Sequence, residues 1–329
     1  MSKLAAITGG AGFIGSHLAE GFVKNGYTVR IIDHLTTAST TNLAGVRREV
    51  EYREVDILDL DGLTEAFNNV SIVLHHAGIS SVPRCFENLN NTHEVNVTGT
   101  LNVLTAASRA GVCKVINASS ASVYGNEGAK MQTEDAIPSP VSPYGLSKWM
   151  GELYAAQFSS ITSLETISLR YFNVYGPRQD LSSRHPAVIP LFIRRLANGD
   201  PPVIFGDGTQ TRDFTFIDNI VEANLRAAQV SVPSGVILNI ASGTQISLNE
   251  LVKLLNEIFG SQKAPIYEPE RLGDIKHSRA NICLSQDLLG DYNVTGLRAG
   301  LLKTALWFLK ISGHAKKYEE IILQIDSCS

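Results

Sequence analysis

Short apolar runs alternate with amphipathic stretches through the first half of the chain. The runs in LAAITG, YTVRIID and VSIVLHHAG are typical of buried strands. Between the first two, FIGSHLAEGFVKNG places Leu18 and Phe22 near Ile14 on one helical face, and Gly26 provides a helix end. Strands that are apolar along their length are typical of a parallel sheet covered on both faces. The pattern predicts an α/β fold with a doubly wound parallel Rossmann sheet.

The pattern becomes irregular after RYFNVYGPRQ, and strand and helix signals return in VILNIA and SLNELVKLLNEIFG. Prolines break the intervening chain into short pieces, at Pro177, Pro186, Pro190, Pro201 and Pro202. We expect residues 1–175 to form the Rossmann domain, with a return segment at about 213–242. Residues 176–329 are expected to form mostly a smaller C-terminal α/β lobe that binds substrate.

Charge and composition narrow the range of partners. The chain has 329 residues, a formal net charge of -4 and a pI of about 6.1, without a long block of Lys or Arg. Nucleic acid and anionic membranes are therefore not expected partners. Apolar runs stay well below the ~18 residues needed to span a bilayer, so we expect no membrane association. These features predict a cytoplasmic protein.

Neither the cysteines nor the paired histidines have the spacing of a metal site. His75 and His76 are adjacent on a predicted strand, so their side chains face opposite sides and no shared metal is expected. Cys113 begins an apolar run, and we expect it to be buried. The cysteines also lack the spacing of a disulfide framework, which indicates a reduced protein; they are Cys85, Cys113, Cys283 and Cys328.

The glycines of ITGGAGFIGSHL have the pattern of a dinucleotide-binding turn. Gly9, Gly12 and Gly15 recur at three-residue spacing between a strand and a helix. Such glycines let the backbone approach a diphosphate, which the helix N-terminus attracts. Asp33 follows Gly15 by 18 residues at the end of the next strand. A carboxylate there suits a ribose 2′-hydroxyl and repels a 2′-phosphate, so the sequence predicts NAD as cofactor.

A second stretch, SPYGLSK, carries candidate catalytic chemistry. Pro143 suits the first turn of a helix, which places Tyr144 and Lys148 one turn apart on the same face. The ammonium group, together with an oxidised nicotinamide ring, favours the phenolate, so Tyr144 can act as a general base. Ser120, in NASSASVYG, is expected at the carboxyl edge of the sheet, where it can bind the same substrate oxygen.

The chain resembles the extended short-chain dehydrogenase/reductase family, and within it the nucleotide-sugar 4-epimerases. The motifs are TGGAGFIGSHL, HHAGISSVPR, NVTGTLNVL, SSASVYG, SPYGLSK, RYFNVYGPRQ and FGDGTQTRDFTFIDN. The resemblance implies catalysis by Ser120, Tyr144 and Lys148, and a homodimer. It implies that NAD contacts Gly9, Gly12, Phe13, Ile14, Gly15, Asp33, Asp56, Ile57, Ala77, Gly78, Asn96, Tyr144, Lys148 and Phe172. Asp56 and Ile57, expected at the end of the third strand, would contact the adenine.

The same resemblance bears on the reaction and the substrate. Related dehydratases and decarboxylases need a carboxylate beside the catalytic serine, where this chain has Ala121 and Ser122. That favours oxidation at C4, rotation of the keto sugar and return of hydride to its other face. The substrate-binding positions implied for a UDP-sugar are Ser81, Asn173, Arg212, Arg271, Asp274 and Ser278. Arginines suit the diphosphate.

Sugar specificity is left with alternatives. In epimerases restricted to glucose and galactose, the position of Ser278 resembles one that holds tyrosine, so serine leaves space for a 2-acetamido group. A plain UDP-glucose 4-epimerase is one alternative. A UDP-glucuronate 4-epimerase is another, with Ser80, Ser81, Arg84 and Lys276 available to the carboxylate. A catalytically silent NAD-binding sensor would have no reason to keep the catalytic triple.

Overall fold

A seven-stranded parallel sheet forms the centre of the computed structural model, which describes residues 3–36, 39–126, 131–180, 187–270, 276–290 and 295–313. Its strands, numbered along the chain, are β1 (Leu4–Thr8), β2 (Thr28–Ile32), β3 (Val50–Arg53), β4 (Ile72–His75), β5 (Lys114–Ser120), β6 (Glu165–Tyr171) and β11 (Val236–Ile240). Their order is β11-β6-β5-β4-β1-β2-β3, and every neighbouring pair is parallel. The predicted doubly wound sheet is confirmed.

Helices cover both faces of this sheet. The helices next to the sheet are α1 (Phe13–Lys24), α2 (Leu60–Ala66), α3 (Val82–Glu87), α4 (Leu89–His93), α5 (Gly99–Arg109), α6 (Pro143–Ile161) and, later in the chain, α8 (Ile217–Gln229). Phe22 of α1 and Ile220 of α8 belong to one buried apolar cluster. Leu63 of α2, Val103 of α5 and Ala155 of α6 belong to a second cluster. The two clusters explain why the strands carry apolar residues on both faces.

The later segments form short paired strands and further helices. They are α7 (Val188–Asn198), α9 (Leu248–Ile258), α10 (Cys283–Leu289), α11 (Leu297–Ile311), β7 (Val174–Tyr175), β8 (Val203–Phe205), β9 (Thr211–Arg212), β10 (Thr215–Phe216), β12 (Ile246–Ser247) and β13 (Ile266–Glu268). Strand pairs are β7 with β10, β8 with β13, and β9 with β12. Phe192, Leu255 and Leu301 lie in the same cluster as Phe22, so these helices share the core of the main sheet.

Local sequence signals set the helix ends near the site. Pro143 is the first residue of α6, and the Ser142 hydroxyl accepts a hydrogen bond from Gly145 N at 3.1 Å. The predicted start of this helix is confirmed. Helix α1 ends at Lys24, and Gly26 follows with a φ of 81°, as expected of a glycine that terminates a helix.

The exposure of Cys113 differs from the sequence-based expectation. Cys113 is exposed, so the expectation that it is buried is wrong. It lies in the turn before β5, where its amide donates to Ser71 O at 3.0 Å while the side chain stays at the surface. Within the part of the chain that the structure describes, no helix has the length and apolar character required to cross a bilayer.

A matched pair of glycine substitutions tests the packing of α11. A methyl group on Gly300 would lie 2.2 Å from Tyr175 Oη and 2.8 Å from Phe216 Cδ2, both buried. On Gly151 of α6 the nearest atom would be at an ordinary 3.5 Å. We expect Gly300→Ala to lower the free energy of unfolding by ~1–3 kcal/mol through overpacking. Gly151→Ala is expected to raise it by up to ~1 kcal/mol, because alanine favours helix.

Urea unfolding followed by circular dichroism measures both effects. Equal stability of the two variants would contradict the close packing of α11 against β7 and β10.

Candidate active site

The glycine-rich turn after β1 is very tightly packed at two glycines and less so at the third. A Cβ on Gly9 would lie 2.7 Å from Ala77 N, and one on Gly15 would lie 2.2 Å from Gly9 O. A Cβ on Gly12 would meet only Gly9 O, at 3.1 Å. Gly12 is also the N-cap of α1, whose first amides have no partner within the helix. This arrangement fits a diphosphate at the helix start.

Asp33 fastens this turn to the end of β2. Its Oδ2 accepts from Ala11 N at 3.0 Å and its Oδ1 accepts from Leu35 N at 2.9 Å. The carboxylate is buried, and each oxygen keeps a second lone pair. Asp33 is therefore held in a fixed orientation at the position predicted to bind a ribose hydroxyl.

The segment after β3 differs in detail from the sequence-based expectation. Strand β3 ends at Arg53, so Asp56 and Ile57 lie in the turn beyond it and do not end the strand. Asp56 Oδ1 accepts from Leu58 N at 2.9 Å, which is the local bond that shapes such a turn. The side chain of Ile57 is buried against Gly99 of α5.

Asn96 joins the loop after β4 to α6. It lies in a single π-helical turn, Glu94–Thr98, a type of irregularity that is frequent at functional sites. Its Oδ1 accepts from Ile79 N at 2.7 Å, and its Nδ2 donates to Ile79 O and to Ser147 Oγ, both at 3.0 Å. Ser147 in turn donates to Tyr144 O at 2.8 Å. The loop that carries Ala77 and Gly78 is thereby tied to the helix of the candidate base.

His75 and His76 face opposite sides of the sheet, as predicted. The ring of His75 bonds to Thr8 Oγ1 at 2.8 Å and to Thr100 Oγ1 at 2.9 Å. His76 Nε2 bonds to Tyr171 Oη at 2.9 Å. Burial, with the Lys148 charge, lowers the pKa of His75 well below its usual value and that of His76 to about 3. Both rings are therefore neutral at pH 7.

The three predicted catalytic side chains converge where β5 ends and α6 begins. The Ser120 hydroxyl donates to Ser122 Oγ at 3.1 Å and lies near enough to the Tyr144 phenol to lower its pKa. Lys148 Nζ donates to Ala118 O at 2.9 Å, and a Cβ built on Gly78 would lie 3.8 Å from that nitrogen. The candidate base and ammonium group therefore lie next to the loop after β4.

Burial shifts the pKa of both titratable groups at this position. It raises the pKa of Tyr144, an effect that the nearby Ser120 hydroxyl opposes. It lowers the pKa of Lys148 to about 8. The sequence predicts that Lys148, together with an oxidised nicotinamide ring, lowers the pKa of Tyr144. Within the chain alone, loss of water around the phenol is the largest effect and raises that pKa.

The predicted substrate positions, and the predicted NAD contact Phe172, lie in different parts of the structure. Phe172 and Asn173 follow β6; Phe172 is buried, and Asn173 Nδ2 donates to Asp213 O at 2.9 Å. Ser81 is the N-cap residue of α3, and its buried Oγ has no hydrogen-bond partner among the residues described. Arg271 and Asp274 lie outside the described residues.

A cavity of about 270 Å³ opens beside the end of β6. Two predicted substrate positions, Asn173 and Arg212, line the cavity. Its other lining residues follow Asn173 directly or belong to later segments: Val174, Tyr175, Ala187, Val188, Ile189, Pro190, Leu191, Val203, Phe205, Gln210, Phe214 and Leu248. Ser278 is buried, is not among the residues that line the cavity, and donates its amide to Thr211 O at 3.2 Å. The cavity has mixed apolar and polar walls, as ligand sites commonly do.

Two charged residues close to the catalytic side chains were not identified from the sequence. Glu152 and Arg170 form a fully buried ion pair between α6 and β6. Glu152 continues the four-residue spacing of Tyr144 and Lys148, and this was the available signal.

The family of the chain follows from residues 5–241, which match the NAD dependent epimerase/dehydratase family. The chain belongs to this family. The matched region begins with β1 and the glycine turn, includes the Ser120, Tyr144 and Lys148 cluster, and ends just after β11. The family uses NAD, which agrees with the predicted cofactor.

Relatives within this family act on different sugars. The UDP-glucose 4-epimerase of Mycolicibacterium smegmatis is 34% identical over 307 residues, which cover 92% of this chain and 97% of the relative. The structure of the UDP-N-acetylglucosamine 4-epimerase from Methanobrevibacter ruminantium, in complex with UDP-N-acetylmuramic acid, is 34% identical with a TM-score of 0.89. It covers 94% of this chain and 99% of that chain.

A third relative acts on a uronate. The structure of the UDP-glucuronic acid 4-epimerase from Bacillus cereus, in complex with UDP-glucuronic acid and NAD, is 30% identical with a TM-score of 0.86. It covers 94% of this chain and 99% of that chain. The scaffold is thus common to relatives of different sugar specificity.

The neutral His76 predicts a loss of stability in acid. In the unfolded chain it takes up a proton below about pH 6.5, whereas the folded protein resists protonation down to a pKa of about 3. Stability therefore falls as the pH drops from about 6.5 toward 3. Between pH 7.5 and pH 5 we expect His76 to account for up to about 2 kcal/mol of that loss.

Urea unfolding at these two pH values tests this in the wild type and in His76→Gln, which should lose less stability in acid. His93→Gln, at an exposed histidine, is the matched control and should behave as the wild type. An equal loss in all three proteins would show that His76 is not kept neutral by the fold.

Proposed function

We propose that the chain catalyses the NAD-dependent 4-epimerisation of a UDP-hexose. The observation that carries the proposal is the convergence of Ser120, Tyr144 and Lys148 beside the loop after β4. Ala121 and Ser122 follow Ser120, so no carboxylate is next to it in sequence. A single proton-handling group suffices for reversible oxidation at C4, whereas elimination of water needs a further acid and base.

The proposed NAD site lies at the carboxyl ends of the parallel strands. The turn at Gly9, Gly12 and Gly15, in which Gly9 and Gly15 allow close backbone packing, fits the diphosphate together with the first turn of α1. Asp33 is held in place to receive a ribose hydroxyl. The remaining contacts of the proposed site are Phe13, Ile14, Asp56, Ile57, Ala77, Gly78, Asn96, Tyr144, Lys148 and Phe172.

In the proposed reaction, Tyr144 handles the proton of the sugar C4 hydroxyl. It takes the proton as C4 is oxidised, and gives it back after the keto sugar has turned its other face toward the cofactor. Ser120 hydrogen-bonds the same oxygen and steadies it. Lys148 is held by Ala118 O, where its ammonium group favours the phenolate. Oxidised NAD supplies reversible hydride transfer and a cationic ring, which also favours the phenolate.

We assign the nucleotide part of the substrate to the cavity beside β6. Arg212 presents a planar guanidinium, which suits the oxygens of a diphosphate, and Asn173 lies beside it in the cavity wall. Ser81, whose buried hydroxyl has no hydrogen-bond partner within the described segments, is proposed to bind the sugar. Arg271 is proposed to bind the diphosphate, and Asp274 to pair with the ribose or with an arginine.

The sugar we propose includes the N-acetylated hexoses. Ser278 is a small, buried residue one position beyond the His277 bridge to Thr211. A small side chain there supports acceptance of a 2-acetamido group alongside plain glucose and galactose. Relatives of both kinds share the scaffold, and so does a uronate epimerase.

The proposed protein is a cytoplasmic homodimer. Large apolar side chains are exposed on one helix and the segment that contacts it: Leu146, Leu153 and Tyr154 on α6, with Phe86 and Leu89 on α3 and α4. An exposed apolar face of this kind is typical of a subunit contact. The cysteines that the structure describes, Cys85, Cys113 and Cys283, are free thiols, which suits a reducing compartment.

Removal of the Tyr144 hydroxyl tests the proposed base. Tyr144→Phe keeps the ring but cannot move the proton, so we expect kcat to fall by ~10²–10⁴-fold while bound NAD is retained. Epimer formation is measured by chromatography of the nucleotide sugars, and NAD content by its release on denaturation. Tyr154→Phe, at an exposed tyrosine of the same helix, is the control and should leave both unchanged. Near-normal turnover in Tyr144→Phe would remove Tyr144 from the mechanism.

The proposed sugar range is tested by Ser278→Tyr. A bulky ring at this position should overpack the site for a 2-acetamido group, at ~1–3 kcal/mol. We expect a 5- to 150-fold lower kcat/KM for UDP-GlcNAc and UDP-GalNAc, estimated roughly from that range, with UDP-Glc and UDP-Gal spared. Arg279→Tyr, at the exposed neighbour, is the control.

All four substrates and UDP-glucuronate are compared in wild type and variants. Equal losses on every sugar would mean that the substitution only disturbs the segment. Rejection of the N-acetyl sugars by the wild type would leave a plain UDP-glucose 4-epimerase, and turnover of UDP-glucuronate alone would favour the uronate enzyme.

A further inference from the structure

A buried charged pair lies one helical turn beyond Lys148. Arg170 Nε donates to Glu152 Oε1 and Arg170 Nη2 donates to Glu152 Oε2, both at 2.8 Å. Each side chain is only 1% exposed. The two parallel bonds form a bidentate contact, which fixes the relative orientation of the two groups.

The pair also connects to the strand that carries Ser120. Ser119, its neighbour, donates its hydroxyl to Glu152 Oε1. In the sheet, Ser119 of β5 pairs with Arg170 of β6. One carboxylate of α6 therefore contacts two adjacent strands at the positions just before their carboxyl ends. The contact therefore joins α6, which carries Tyr144 and Lys148, to the strand that carries Ser120.

On its other side the guanidinium meets an aromatic ring. Arg170 Cζ lies 4.6 Å from the centre of the Tyr124 ring. Tyr124 donates its hydroxyl to Asn239 Oδ1 at 2.7 Å, and its ring lies 6.1 Å from that of Phe172. The Nη1 of Arg170 is buried without a hydrogen-bond partner among the described residues. A buried ion pair is in general a weak source of stability, so its presence here points to another role.

The surroundings of Lys148 indicate what that role is. Four titratable groups interact electrostatically with Lys148: Cys85 of α3, His75 at the end of β4, His76 just after it, and Glu152 of α6. The two histidines are neutral at pH 7. Burial lowers the pKa of Lys148, and Cys85 and then the Glu152 carboxylate act against that lowering. Arg170 cancels most of the Glu152 charge at short range.

We propose that Glu152 and Arg170 are positioning residues: the pair fixes α6 against β5 and β6, which sets Tyr144 and Lys148 relative to Ser120, and its paired charges add no net charge beside them. Their mutual neutralisation leaves the buried region close to electrically neutral, so neither charge alone dominates Lys148. The inference rests on the proposed function, because both residues act through the three catalytic side chains.

The test compares Glu152→Gln with the double variant Glu152→Gln, Arg170→Met. The single variant leaves a guanidinium that is always charged and has lost its partner. Both limbs of the pH profile of kcat should then move toward acid by about one pH unit, because an added positive charge favours phenolate and disfavours ammonium. The double variant removes both charges, so its limbs should return toward the wild-type positions, although kcat stays low because the contact with Ser119 is weakened. A merely structural role would lower kcat in both variants without moving the limbs, and would overturn the proposal.

A second readout does not require epimerase activity. Competitive acetylation of Lys148, quantified by mass spectrometry across pH, reports the titration of this amine, whose pKa is about 8 in the wild type. The midpoint should fall in Glu152→Gln and recover in the double variant. If the wild type epimerised no UDP-sugar, the proposed function would fail, while this titration would still decide the role of the pair.

If Glu152→Gln does not fold, a third variant, Arg170→Lys, tests the proposal. Arg170→Lys keeps both charges but loses the bidentate contact. We expect a reduced kcat with unmoved pH limbs and an unchanged acetylation midpoint. An unchanged kcat in this variant would overturn the positioning role.

Discussion

All seven strands of the central sheet are parallel, so their carboxyl ends lie along one edge, and the site depends on this constraint. The glycine turn follows β1, Asp33 follows β2 and Ser120 ends β5. Phe172 follows β6 and Ala77 closely follows β4. Residues that are far apart in sequence thereby reach one crevice without any long connection. The strand order reverses direction at β1, which is where such sheets leave room for a ligand.

Burial is the second physical factor, because it shifts the pKa values of the titratable side chains at the site, in part against the proposed chemistry. It keeps His75 and His76 neutral, so their rings serve packing and hydrogen bonding. The same loss of water raises the pKa of Tyr144 and lowers that of Lys148. A phenol that must release its proton therefore needs positive charge close by, and an ammonium that must stay charged needs a carboxylate nearby. The proposed role of NAD answers the first need, and the paired charges of Glu152 and Arg170 avoid an uncompensated positive charge that would act against the second.

Much of this fold was predictable because its signals are local. Gly26, Pro143 and the apolar strands mark helix ends and a parallel sheet without any knowledge of distant contacts. The buried pair was not predictable in the same way, because Arg170 meets Glu152 only after β6 pairs with β5. The rise that burial alone causes in the pKa of Tyr144 was not predictable for a related reason: charged neighbours are visible in a sequence, but the extent of desolvation is not. Cys113 differed from its expectation because a turn holds it at the surface.

The central claim is that one tyrosine and one bound cofactor epimerise C4 through removal and return of the same hydride. Incubation with a UDP-hexose deuterated at C4, followed by mass spectrometry and NMR of the products, tests this directly. The account predicts that the C4 epimer forms with the deuterium still at C4, without net consumption of NAD. Loss of the deuterium to solvent, or accumulation of a keto or dehydrated sugar in place of the epimer, would contradict it.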